Sequence, residues 1–241
     1  MRGILFDKDG TLLDFQASWS GVFRELCLDF ADGEPGRAAA MLQAGGMDPE
    51  TGSVRAGSPF AAGNTLDIVA ALLPDLAGPA FKAMVGRIDG AFYRNGIRCS
   101  VPVAGLKHTL AALAETGVAM GVATSDATAG TRAALAMLGV EDRLPHVFGY
   151  DSVARPKPAP DIVFAFAAAI GAPPGEIAVV GDNTHDLEMA RSAGAGAAIG
   201  VLSGTGARAD LAPLADVILD SVADLPAWLR SRRGPPGRRR I

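Results

Sequence analysis

The chain alternates short apolar runs with longer segments whose apolar residues recur every three or four positions. Gly3-Ile4-Leu5-Phe6 reads as a buried strand that stops at Asp7-Lys8-Asp9-Gly10-Thr11. The same grammar returns downstream. Val118 to Thr124 ends in Ser125-Asp126, and Ile177 to Val180 ends in Gly181-Asp182-Asn183. Ala197 to Val201 and Asp216 to Leu219 are weaker runs of the same kind. Helical patterns lie between them. Leu106, Leu110 and Leu113 precede a stop at Gly117, and Thr128 can cap a helix that ends at Gly139. Ile162, Phe164 and Phe166 follow Pro158 and Pro160, and Leu187, Met189 and Ala190 precede Gly194. Strands alternating with helices predict an α/β fold, a parallel sheet with helices on both faces.

Residues 15–97 break this alternation. Trp19, Val22, Phe23, Leu26 and Phe30 mark one face of a helix beginning near Ser18. Leu66 to Leu73 continues as a helix capped by Asn64, and Phe81 to Phe92 as another. A Gly/Pro-rich loop, Gly45 to Gly63, lies between and carries Arg55. The predicted organisation is an α/β core of residues 1–14 and 98–229 that is interrupted by a helical insert of residues 15–97.

Composition narrows the picture further. The 241 residues are 49% hydrophobic and 20% charged, which excludes disorder throughout. Cys27 and Cys99 are too few for a disulfide framework and have no zinc-site spacing, so they read as free thiols in a reducing compartment. Six of the arginines sit in residues 230–241, predicted to be a disordered tail. Without them the formal charge of −4 becomes about −10 on the rest. An acidic body argues against nucleic-acid binding. No run is long enough to cross a bilayer and none forms a signal-peptide core, so a cytoplasmic protein, a monomer or a homodimer, is expected.

The polar clusters at the strand ends can meet only if the sheet is real, because ligands of such sheets bind at the carboxyl ends of the strands. They are Asp7/Asp9, Thr124/Ser125, Lys157 and Asp182/Asp186. Four crowded carboxylates need cations, and an oxygen-only ligand set suits Mg²⁺. With Lys157 and the Thr124 hydroxyl, such a crevice asks for an anionic, phosphorylated small molecule. One N-terminal acid can attack phosphorus while the other handles the proton of the leaving oxygen.

Asp7-Lys8-Asp9-Gly10-Thr11-Leu12 resembles the Asp-x-Asp-Gly-Thr signature of the haloacid dehalogenase-like hydrolase superfamily. Thr124, Lys157-Pro158 and Gly181-Asp182 with Asp186 resemble its three later motifs, in order. The resemblance spans nearly everything but the tail. It implies a Rossmann-like core with Asp7 as nucleophile, Asp9 as general acid/base, and Thr124 and Lys157 as phosphoryl-binding catalytic groups. It also implies Mg²⁺ held by Asp7, the main-chain carbonyl of Asp9 and Asp182, with Asp186 supporting metal or lysine. The insert's position after the first motif matches the helical-cap, phosphoglycolate phosphatase-like branch.

The expected activity is therefore a Mg²⁺-dependent phosphatase acting on phosphoglycolate or a sugar phosphate through an aspartyl-phosphate. The alternatives are a sugar-phosphate mutase, a metal-independent dehalogenase, a phosphonate-cleaving enzyme using Lys82, or a binding protein on the same fold. Ser125 and Arg55 are candidate substrate-binding residues. Trp19 reads as core, although it could meet the substrate. Lys8 alternates away from Asp7 and reads as structural. Asp126 adds a negative charge where many relatives carry Asn or Lys. Asn183 is a candidate supporting residue, whereas His108, His146 and His185 are set aside.

Overall fold

The computed structural model describes residues 1–232. Its sheet has six strands: β1 (Gly3–Phe6), β2 (Ala119–Ala123), β3 (His146–Phe148), β4 (Ile177–Gly181), β5 (Ala197–Val201) and β6 (Val217–Leu219). They lie in the order β3-β2-β1-β4-β5-β6, and every pair is parallel. The chain leaves β1 toward one edge, returns, and continues on the other side of β1. Such a reversal leaves a crevice at the carboxyl ends of the two central strands, β1 and β4.

Side-chain alternation on the strands builds two apolar layers. Ile4 and Phe6 pack with α6 (Leu106–Ala114) and α11 (Leu225–Arg232) through Leu110, Leu113, Leu225 and Leu229. Leu5 and Val179 face the other way, onto Phe166 of α8 (Asp161–Ile170) and Leu187 of α9 (Thr184–Ala193). The helix α7 (Thr128–Leu138) follows β2, and its stop at Gly139 is left-handed, as the sequence suggested.

Between β1 and α6 the chain forms five helices: α1 (Phe15–Phe30), α2 (Pro35–Gly45), α3 (Pro59–Ala62), α4 (Thr65–Leu72) and α5 (Gly78–Cys99). Their apolar faces close a third cluster drawn wholly from this segment, including Trp19, Phe23, Phe60, Ile68 and Phe92. Asn64 caps α4 in a reciprocal box with Asp67. The helices approach the core through α5 and α7, with Tyr150 donating to the Asp89 carboxylate at 2.7 Å. Entry and exit run side by side: Asp14 N–H donates to the Val101 carbonyl, and Val103 N–H to that of Leu12.

Several expectations shift. The first helix begins at Phe15 because Asp14 supplies the cap, accepting from the Ala17 amide. Ser18 lies inside that helix and accepts from Val101 N–H instead. The strand β3 was not anticipated. Arg230 and Arg232 belong to α11, where the Arg232 guanidinium lies 4.8 Å from the Trp228 ring centre, so the expected tail does not begin at 230. The rest of that expectation, residues 233–241, lies outside the described residues. No helix among the described residues is long and apolar enough to cross a membrane.

Candidate active site

The crevice at the head of β1 collects the predicted acids because each follows a central strand. Asp7 continues β1, and its amide donates to Val180 of β4. Asp182 follows β4. Asp186 sits in the first turn of α9, where one carboxylate oxygen accepts from the Asn183 amide at 3.1 Å and completes the helix cap. Carboxylate oxygens of Asp7, Asp182 and Asp186 lie within 4.8 Å of one another, and all three side chains are buried. Gly10 makes this packing possible. Its φ is 88°, and a Cβ there would come within 2.6 Å of the Asp182 carboxylate.

Lys157 reaches the cluster from the loop before α8. Its Nζ lies 2.6 Å from Asp7 Oδ1 and 2.6 Å from Asp186 Oδ1. Burial opposes its charge, but Asp186 and Asp7 outweigh burial and hold the ammonium above its ordinary range. The acids remain short of positive charge. Burial, aided by Asp186, raises the Asp182 carboxyl to about 7, against the pull of the Thr205 amide and Lys157. Burial likewise holds Asp7 well above the usual carboxylate range; Lys157 pulls it down, and Asp186, Asp182 and Asp9 push it up. Three crowded, buried carboxylates are a fitting cradle for a hard divalent cation.

Asp9 is arranged differently. Its carboxylate lies outside the triad; the metal ligand expected of this residue is its main-chain carbonyl. One oxygen accepts from the Trp19 indole N–H at 2.6 Å, and the other pairs with Lys8 Nζ at 2.6 Å. Lys8 is only 2% exposed and also contacts Asp126 at 2.7 Å. Its ammonium lies 5.1 Å from the Trp19 ring centre. Thus Lys8, Trp19 and Asp126 all bear on the predicted acid/base. Their sequence positions gave only weak notice of it.

The remaining candidates fall into place unevenly. Thr124 is buried beside the triad and accepts from the Asp126 amide. Ser125 lines the cavity, but its hydroxyl donates to the Ala62 carbonyl at 3.1 Å. Asn183 lines it too, bonded through its side chain to Thr205. Arg55 is not among the lining residues; it borders a separate surface hollow with Gln43 and Asp48, because its loop folds back onto Gly46. His185, set aside from sequence, does line the cavity, and its buried Nδ1 has no hydrogen-bond partner. Phe15, Trp19, Phe23, Phe60, Ile68 and Phe92 form the opposite wall.

The sequence family described as haloacid dehalogenase-like hydrolase matches residues 1–194, most of the chain and every strand-end acid above. The chain belongs to the haloacid dehalogenase-like hydrolases. Among relatives of this family, the phosphoglycolate phosphatase of Xylella fastidiosa (strain Temecula1) is 30% identical over 80% of this chain and 77% of its own length. That of Pectobacterium atrosepticum is 29% identical over 93% and 91%. The crystal structure of CbbY from Rhodobacter sphaeroides in complex with phosphate superposes with a TM-score of 0.70 at 21% identity, covering 93% of this chain and 96% of that one. This haloacid dehalogenase-like hydrolase is a phosphoric monoester hydrolase by its family and its relatives.

Proposed function

We propose that this hydrolase is a Mg²⁺-dependent phosphatase of small phosphorylated metabolites that works through an aspartyl-phosphate on Asp7. The observation that carries the reading is the convergence of Asp7, Asp182 and Asp186 with only Lys157 among them. Asp7, Asp182 and the Asp9 main-chain carbonyl would hold the ion, with Asp186 steadying Lys157. When bound, Mg²⁺ supplies positive charge to the non-bridging oxygens of the phosphoryl group and lets the carboxylates ionise.

Asp7 has one oxygen on Lys157, which leaves the other to attack phosphorus. The P–O bond to the alcohol breaks as the Asp7–phosphorus bond forms, and Asp9 gives the departing oxygen its proton. Asp9 then takes a proton from water, whose oxygen displaces Asp7 and releases inorganic phosphate. Lys157 and the Thr124 hydroxyl bear on the transferred group throughout. The helices of residues 15–97 act as a cap that excludes bulk water. Phosphoglycolate is one substrate supported by the names of the relatives.

The test is phosphate release with and without Mg²⁺ in wild type and Asp7→Asn. Turnover should vanish on chelation and in the variant, and Mg²⁺ should raise the thermal midpoint of the wild type. Activity that survives either change overturns the mechanism. An isomerised sugar phosphate in place of free phosphate would make the enzyme a mutase.

A further inference from the structure

The two sides of the active-site cavity ask for different chemistry, and the side away from phosphorus bears on the identity of the alcohol. That wall is Phe15, Trp19, Phe23, Phe60, Ile68 and Phe92. Its rings are already organised: Phe23 and Phe60 stack with centroids 4.0 Å apart, and Trp19 meets Phe92 edge-on at 4.9 Å. The wall offers almost no free polarity. The Trp19 N–H is used on Asp9, and the Ser125 hydroxyl beside it on Ala62.

Positive charge is missing from the same wall. Among the described residues, no lysine or arginine of the helical segment lines the cavity. Arg24 reaches the Pro49 carbonyl, Arg37 pairs with Asp32, Arg87 pairs with Asp29, and Arg55 borders another hollow. Lys8 lies close behind Trp19 but is engaged by Asp9 and Asp126. Asp126 itself is on the lining and would repel an anion.

We infer, on the phosphatase reading above, that the preferred substrate is the phosphomonoester of a small apolar alcohol, aliphatic or benzylic, rather than of a carboxylate-bearing or polyhydroxylated one. A carboxylate against this wall would lose its hydration with no counter-charge to replace it, and sugar hydroxyls would find few partners. An apolar alcohol leaves water there favourably and can stack on the rings. His185, with its unpartnered Nδ1, is the lining group placed to contradict this by meeting an anion.

The experiment compares kcat/KM, with Mg²⁺, for benzyl phosphate, 3-methylbutyl phosphate, phosphoglycolate and glucose 6-phosphate. All four leave as alkoxides, so differences report mainly on the wall. The activated ester 4-nitrophenyl phosphate is the control. The two apolar esters should exceed phosphoglycolate and glucose 6-phosphate by at least about tenfold, a gap of about 1.4 kcal/mol. Ile68→Arg should narrow or reverse the gap for phosphoglycolate. Equal or higher values for phosphoglycolate or the sugar phosphate in wild type overturn the inference, most directly if His185→Ala abolishes that preference. Failure on the apolar esters beside live 4-nitrophenyl phosphate hydrolysis overturns it as well, and leaves the phosphatase reading standing. Silence on all five substrates removes both.

Discussion

Two buried lysines, one inside the Asp-x-Asp segment and one from a distant loop, each lie between two carboxylates. Lys157 bridges Asp7 and Asp186, both at 2.6 Å; Lys8 bridges Asp9 and Asp126 at 2.6 and 2.7 Å. In both, the paired acids outweigh burial and keep the ammonium above its ordinary range. The difference lies in what else is present. Beside Lys157 stands a third acid, Asp182, so the cluster keeps a surplus of negative charge and faces the cavity. Beside Lys8 the addition is a neutral donor, the Trp19 indole, so both Asp9 oxygens are engaged. One motif thus serves two ends: a charge deficit that a cation can fill, and a grip on a single side chain.

That contrast breaks most visibly at Lys157. Lys157→Met should cut kcat by about 10²–10³-fold, the usual loss when a positioned donor to the reacting group is removed. A kcat within threefold of wild type would mean that the acids and the ion suffice. Lys8→Met should act first on stability. It leaves Asp9 and the partly buried Asp126 without their cation, a change whose upper bound is the loss of about 3–5 kcal/mol seen when a fully buried pair is broken. The double variant Lys8→Met, Asp126→Leu should recover much of the thermal midpoint. It should still hydrolyse 4-nitrophenyl phosphate far better, relative to benzyl phosphate, than wild type does, because only the alkoxide needs a well-placed proton. An unchanged ratio would reduce Lys8 to a packing role. Trp19→Phe is the mildest break. It keeps the ring and removes the N–H, so kcat should fall by about fivefold, in line with one hydrogen bond of about 1 kcal/mol.

The same contrast separates what was legible in the sequence from what was not. Asp7, Thr124, Asp182 and Lys157 were readable because each follows a strand or opens a helix with an apolar signature. Lys8 and Trp19 obeyed their local patterns too, one on the strand extension and one on an apolar helical stripe. Nothing local says which atom of a tryptophan points at a carboxylate, or that Lys8 meets an acid more than a hundred residues away. The strand β3 escaped because His146–Phe148 is three residues long and depends on β2 for its hydrogen bonds. The first helix started early for the converse reason. Asp14 caps it, while Ser18, the more obvious cap, is taken by the returning chain. Arg55 carries no signal but its charge, and charge does not say where a loop folds back.

The returning chain has a consequence for the protein's modularity. Leu12 and Asp14 on the way out are hydrogen-bonded to Val103 and Val101 on the way back. The ends of the helical segment are therefore held together mainly by main-chain bonds outside it, with Ser18 of α1 adding one side-chain bond to Val101. For the rest of the molecule this whole segment is equivalent to one tight turn, and closing a loop costs only slowly more as it lengthens. A chain in which residues 15–99 are replaced by a short glycine linker should still pair β1 with β2. Segments of other shapes could be spliced at the same two positions, which makes this crossing a socket for exchanging the part of the enzyme that meets the alcohol.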